Sequence, residues 1–322
     1  MNDHIIRNDN ADGIDRRGFL KCMAWAGTGV VWTLNSGILT SRALGETAGG
    51  TMVQAPAGTL NFVQISDSHI GFSKAPVNAD VSATFRETVA RINALPVAPE
   101  FLLHTGDLTH LAADDEFDGL DQMLKDCRTK QVFYVPGEHD VGSDNGAAYL
   151  GRFGKGTFGQ GWYSFDQKGV HFVGLVNVTG VSDGGLGVMG AEQLAWLAKD
   201  LAPLSADTPV VVFAHVPLWM VYPKWGWGTD DGAQALALLK RFGSVTVLNG
   251  HIHQVVQKVE GNITFHTARS TAFPQPVGGM APKPGPMAVP APQLRSLLGL
   301  TSVSYVESHP TLAIVDSTLA TP

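Results

Sequence analysis

Five short segments of the sequence collect residue types that bind hard cations. They are Ser66-Asp67-Ser68-His69, Thr105-Gly106-Asp107, Pro136-Gly137-Glu138-His139-Asp140, Ala214-His215 and Asn249-Gly250-His251-Ile252-His253. Carboxylates and imidazoles that converge can hold two divalent or trivalent cations. A mixed oxygen and nitrogen donor set suits Fe, Mn or Zn rather than a soft thiolate metal. Taken singly, each segment is weak, because Asp-x-His recurs by accident and a buried His is more often a satisfied core residue than a ligand. Five in order, each directly behind an apolar run, are hard to obtain by chance.

Those apolar runs are the elements that must position the segments. Leu60–Ile65, Phe101–Leu103, Val132–Val135, Val170–Val176, Val210–Phe213 and Val245–Leu248 read as strands. Between them, Val81–Leu95, Glu116–Cys127, Ala191–Leu201 and Ala233–Phe242 carry helical periodicity, with Phe85, Val89 and Ile92 at i, i+4 and i+7 in the first. Later strands at Val255–Glu260, Ile263–His266, Val303–Val306 and Leu312–Val315 follow largely without helices. The order predicts an α/β core ending in antiparallel sheet. Each chemical segment then lies just beyond a strand carboxyl end, where an open α/β sheet places its ligands.

On these five ordered motifs and the strands before them, from about Leu60 to His266, the chain resembles the calcineurin-like metallophosphoesterases. The resemblance implies a β-sandwich flanked by helices, a four-layer αββα arrangement. It also implies a dinuclear metal site. Asp67, His69 and His253 would hold the first metal, Asp107 would bridge, and His215 and His251 would hold the second together with Glu138. His139 would lie near the leaving group. Asp140 would orient the His139 ring or, as the alternative, cap the turn. The implied reaction is in-line attack on phosphorus by a hydroxide held between the two cations. The implied cofactors are two ions of Fe, Mn or Zn, with Fe(III) beside a divalent partner as one option.

Two departures from the family pattern bear on the chemistry. The third motif is usually Gly-Asn-His-Asp or Gly-Asn-His-Glu, and here it is Gly137-Glu138-His139-Asp140. A carboxylate replaces a neutral amide, so the site carries one more negative charge and attracts an anionic substrate less. A more highly charged metal pair would offset it. The second departure is His110, three positions after Asp107, where the purple acid phosphatases place a tyrosine. His110 is either an outer member of the site or a plain loop histidine. His104 reads as a core residue, and His171, His266 and His309 as structural. The run Leu218–Gly228 holds Trp219, Tyr222, Trp225 and Trp227, which either wall a pocket or simply pack; Lys224 approaches a phosphate or is solvated.

The chain has 322 residues, 22 basic and 29 acidic side chains and a formal net charge of -7. That balance argues against a nucleic-acid-coating surface. Two cysteines, Cys22 and Cys127, exclude a disulfide scaffold and a four-cysteine zinc site. Arg16-Arg17-Gly18-Phe19-Leu20-Lys21, followed by a weakly apolar stretch and small-x-small sites near residues 41–45, resembles a twin-arginine (Tat) export signal. A membrane anchor is the alternative, but the Gly, Ser, Thr and Asn content makes a stable span poor. The expected organisation is a signal at 1–45, a linker at 46–58 and one metallophosphoesterase domain at 59–318, with a Pro/Gly-rich loop at 273–299. The expected protein is a periplasmic or secreted phosphodiesterase with a small phosphoester substrate and the Tat machinery as partner. The alternatives are a periplasmic phosphomonoesterase and a non-catalytic binding protein whose site has decayed at Glu138.

Overall fold

Strands that are apolar at nearly every position are stable only when both faces are covered, and the chain covers them by stacking two sheets between two layers of helices. The computed structural model describes residues 58–142, 144–178, 185–307 and 312–320, and the backbone alone of 30–35 and 38–43. In the latter, β1 (Val30–Asn35) and β2 (Ile38–Ala43) pair antiparallel. The rest of the expected export signal, and all but residue 58 of the expected linker, lie outside the described residues, as does His309.

The first sheet contains β3 (Thr59–Ile65), β4 (Phe101–His104) and β5 (Val132–Tyr134), which run parallel. It is completed by antiparallel β12 (Gly299–Val306) and β13 (Ala313–Thr318) in the order β13-β12-β3-β4-β5. The second sheet has the order β10-β11-β9-β8-β7-β6. Its β7 (Val170–Gly174), β8 (Val210–Ala214), β9 (Val245–Asn249) and β11 (Ile263–Thr267) are parallel. Antiparallel β6 (Tyr163–Gln167) and β10 (Gln257–Glu260) close its edges.

Alternation along each strand splits the core into layers. Leu60, Phe62, Phe101 and Leu103 face Phe172, Val211, Phe213 and Leu248 between the sheets. Val63, Ile65 and Leu102 turn the other way, onto α1 (Val81–Asn93) and α2 (Asp114–Leu124). Val210, Val212 and Val247 turn onto α5 (Gly190–Leu201) and α6 (Gly232–Leu239). This is the expected four-layer arrangement. Helix α1 starts where the Asp80 carboxylate accepts the Ala83 N–H at 2.9 Å. Its Phe85, Val89 and Ile92 are buried, each worth about 1.5–3 kcal/mol.

Several boundaries differ from the sequence expectation. Helix α2 begins at Asp114 rather than Glu116, because three acidic residues fill its first turn. The segment 273–299 is not loop throughout. Its last part forms α7 (Ala291–Leu297), with Pro292 in the first turn, and Gly299 already belongs to β12. Leu294 and Leu298 pin that part against Leu319. Short helices α3 (Glu138–Val141) and α4 (Ala147–Phe153) and a single 3-10 turn at Pro223–Trp225 complete the described elements.

Candidate metal centre

Each of the five motifs follows a parallel strand, namely β3, β4, β5, β8 and β9, and the backbone turns sharply as it leaves. Asp67, His69, Asp107, His251 and His253 hold φ of 53°, 41°, 50°, 69° and 55°. They are five of the eight non-glycine residues with positive φ among the described residues. Such conformations cost of order 1–3 kcal/mol each and persist where the surroundings over-determine them. Here the loops zip together: Asp67 N–H donates to Gly106 O and His69 N–H to Asp107 O, both at 2.9 Å. His251 N–H donates to the Asp67 carboxylate at 3.1 Å, and His139 N–H to Asp107 Oδ1 at 3.0 Å. Gly106 holds φ 96°, and a side chain there would collide with the His215 ring.

The side chains so aimed fall into two overlapping groups. In the first, His253 Nε2 lies 3.2 Å from Asp67 Oδ1 and 3.3 Å from His69 Nε2. In the second, Glu138 places Oε2 2.9 Å from His215 Nε2 and Oε1 3.0 Å from His251 Nδ1. Asp107 Oδ2 stands between the groups, 3.5 Å from His69 Nε2 and 3.3 Å from His215 Nε2. All seven expected ligand residues are therefore brought together, close enough to share cations.

The chain itself does not satisfy this cluster. Glu138 Oε2, His215 Nε2 and both ring nitrogens of His251 are buried without a hydrogen bond. Buried polar atoms left in that state are expensive, and a cation among Glu138, His215 and His251 would relieve it. Two of the rings are fixed on their far side. His215 Nδ1 donates to Thr105 O at 2.7 Å and His253 Nδ1 to Phe273 O at 2.6 Å. That is the support a metal-binding imidazole needs to present Nε2. The donor set thus fits two cations of the Fe, Mn or Zn type.

Electrostatics agree. Burial disfavours the His215 imidazolium, yet Asp107 and Glu138 beside it push its pKa well above the ordinary value. Burial opposes ionisation of Glu138, and the His251 and His215 rings nevertheless hold it well below the ordinary carboxylate range. Asp67, likewise opposed by burial, is lowered chiefly by His253. Burial and the neighbouring His139 and His253 depress His69. A cation entering the cluster takes the place of the imidazole proton that these carboxylates favour on His215.

His139 lies against the cluster, with its ring centroid 4.7 Å from that of His69. Burial disfavours its charge, but Asp107 and Glu138 push it up to about 9. The expectation that Asp140 orients this ring is corrected. His139 Nδ1 donates to the His110 carbonyl at 2.7 Å. The Asp140 carboxylate accepts the N–H groups of Leu108, Thr109 and Gly137 and the Thr109 hydroxyl, at 2.8–3.0 Å. Asp140 locks two motif loops together, which is the capping alternative.

A family model described as "Calcineurin-like phosphoesterase" matches residues 60–255, more than half of the chain and all five motifs. The chain belongs to the calcineurin-like phosphoesterase family. This is a family of metal-dependent phosphoric ester hydrolases. The chain is 24% identical over 216 residues to a "Probable cyclic nucleotide phosphodiesterase" of Vesicomyosocius okutanii, covering 66% of this chain and 87% of that one. It is 25% identical over 228 residues to the serine/threonine-protein phosphatase CPPED1 of Danio rerio, covering 62% and 71%. The crystal structure of a dimetal phosphatase from Danio rerio shares the fold, with a TM-score of 0.57 and 14% identity, over 81% of this chain and 98% of that one.

Around the family motifs, this calcineurin-like phosphoesterase carries supporting residues that sequence reasoning did not find. Ser270 donates to Asp67 O at 2.7 Å and accepts Ala272 N–H. Phe273 stacks on His69 at 4.7 Å and supplies the carbonyl that fixes His253. Gln275, in the Pro/Gly-rich loop, donates to His251 O at 2.9 Å, so that loop is tied to the fifth motif. The tryptophans settle on packing. Trp225 and Trp227 are buried against Ile252, which lies between His251 and His253, and Trp219 packs on Phe265. Lys224 is exposed. His104 is buried with Nε2 2.7 Å from Ser68 Oγ. His171 lies between Asp166 and Asp200, and His266 pairs with Asp316, both away from the cluster.

Proposed function

We propose that this protein is an exported dinuclear metallophosphoesterase that hydrolyses a small phosphodiester. Asp67, His69 and His253 hold one cation, His215, His251 and Glu138 hold the other, and Asp107 is shared. The observation that carries the reading is the set of orphaned buried donors, Glu138 Oε2, His215 Nε2 and the His251 ring, facing one another beside Asp107. When bound, the two cations supply Lewis-acid polarisation of a phosphoryl oxygen and a nucleophile derived from water at neutral pH. The residues of the chain do the rest. His139 donates its Nδ1 proton to a backbone carbonyl, which leaves Nε2 to meet the leaving oxygen. A proton carried on that nitrogen would pass to the leaving oxygen, the role of a general acid. Phe273, stacked on His69, shields one side of the first group from water.

Charge favours a diester. Three carboxylates, Asp67, Asp107 and Glu138, surround the site, and the groups that set its protonation are carboxylates and imidazoles. A diester carries one negative charge and is repelled less than a monoester. The Vesicomyosocius relative, named as a probable cyclic nucleotide phosphodiesterase, supports the same choice. A monoesterase is the second reading, supported by the phosphatase relative from Danio rerio. The two are separated by the ratio of kcat/KM on bis-nitrophenyl phosphate and nitrophenyl phosphate with Mn, Zn or Fe added. A ratio above one supports the diesterase, and strong preference for the monoester rejects it.

Export rests on Arg16-Arg17-Gly18-Phe19-Leu20-Lys21. Arg16→Lys with Arg17→Lys is expected to retain the protein in the cytoplasm, and the exported form to begin near residue 44–46. Fractionation and N-terminal sequencing decide this, and unchanged export of the double variant would remove the Tat machinery as a partner.

A further inference from the structure

Seven ligand positions and His139 are accounted for by the motifs, but His110 is not. Its backbone is held on both sides. His110 N–H donates to Ile70 O at 2.9 Å and to Glu116 Oε2 at 3.2 Å. The same Glu116 oxygen takes Leu111 N–H at 2.7 Å and Ala113 N–H at 3.3 Å. Gly71 lets the Glu116 carboxylate lie flat against the chain, since a side chain at that position would overlap it. The His110 ring is held as well. It packs edge-on against Phe72 at 5.1 Å and stacks on His139 at 4.8 Å and 17°. Its Nδ1 lies 3.4 Å from Nδ1 of His69.

Two ring nitrogens that face one another need a single proton between them. His69 turns Nε2 toward His253 and Asp107, the side on which a cation would sit. A ligand nitrogen carries no proton, so the His69 proton is on Nδ1 and is donated to His110 Nδ1. The proton of His110 is then on its own Nε2. The carbonyl of the same residue takes the Nδ1 proton of His139.

We infer that His110 is a positioning residue that serves both halves of the reaction: its ring nitrogen orients His69 toward the first cation, and its carbonyl and stacked ring hold His139 at the leaving group. This rests on the metallophosphoesterase reading above. Supports of this kind are typically worth 10–100-fold in metal affinity.

Two substitutions separate the roles. His110→Phe keeps a ring on His139 but removes the acceptor for His69. His110→Asn keeps an acceptor near the Nδ1 position but removes the stack. The measurement is metals per chain after dialysis against graded chelator, alongside kcat on diesters with alkyl and nitrophenyl leaving groups. Melting curves confirm that each variant is folded. At a chelator strength where the wild type retains two metals, His110→Phe is expected to retain one, a loss of about 10–100-fold in affinity. His110→Asn is expected to retain two and to lose more kcat on the alkyl than on the nitrophenyl ester, because only the poorer leaving group needs the His139 proton. Equal metal retention in Phe, Asn and wild type, or equal loss in both variants, would overturn the assignment. A wild type that takes up no metal would instead overturn the metallophosphoesterase reading, and this inference with it.

Discussion

Replacing Glu138 by Asn keeps an oxygen donor in the second group and removes one negative charge. The Glu138 carboxylate lies 2.9 Å and 3.0 Å from the nitrogens of His215 and His251, so its charge sits directly at the second cation position. An anion bound about 4 Å from that carboxylate is repelled by about 1 kcal/mol in water and about 4 kcal/mol at an effective dielectric of 20. The side chain is 31% exposed, which places it between those limits. At 1.4 kcal/mol per tenfold, vanadate and phosphate should bind the variant roughly fivefold to several hundredfold more tightly. Retention of a trivalent metal should fall, because a hard anionic donor is gone. Glu138→Ala should instead lose the second metal. Vanadate inhibition of nitrophenyl diester hydrolysis and elemental analysis of both variants provide the test. Asn and Ala variants with the same inhibition constants and full metal occupancy would refute the reasoning, since Glu138 would then not be a ligand.

Asp107→Asn should strip both metals and nearly all activity, because Asp107 Oδ2 lies 3.5 Å from His69 Nε2 and 3.3 Å from His215 Nε2; elemental analysis finding two tightly held metals would contradict the shared role. Gly106→Ala should lower the melting temperature and metal content together, since the residue holds φ 96° and its side chain would displace the His215 ring; an unchanged metal count would show that the turn tolerates bulk. His171 gives a pH prediction away from the metals. Burial opposes its charge, but hydrogen bonds to Asp200 and Asp166 raise its pKa above the ordinary 6.5. A raised folded-state pKa gives stability that is fully present below 6.5 and is lost as pH rises through the folded value. In urea titrations, the advantage of the wild type over His171→Asn should therefore shrink from pH 6 to pH 9, and a constant difference would remove the imidazolium from the account.

The strands were legible in the sequence because runs such as Val210–Phe213 are apolar at consecutive positions, as two-sided burial demands. The cluster was legible because each motif sits in the first turn after such a run, so order along the chain stands in for proximity in space. Other features leave no such local trace. Strand β6 reads Tyr163-Ser164-Phe165-Asp166-Gln167, an edge whose Phe165 is held by stacking on Phe133, 32 residues away in sequence, at 3.8 Å. Helix α7 is hidden by the proline-rich segment before it, and only Leu319 shows why it folds. The backbone carbonyls of Thr105, His110 and Phe273 that fix three rings carry no side-chain signature at all. Asp140 was misread for the same reason, since its partners are backbone N–H groups of another loop.

The proposed enzyme depends on seven side chains, one of them an unexpected carboxylate, that would hold two metal ions for phosphodiester hydrolysis. Its most direct test is elemental analysis of the folded chain, titrated with Mn, Zn or Fe while diester hydrolysis is followed on the same samples. The account predicts that activity saturates at two metals per chain and vanishes when chelator removes them. Saturation at one metal, or full activity in metal-free protein, would contradict it.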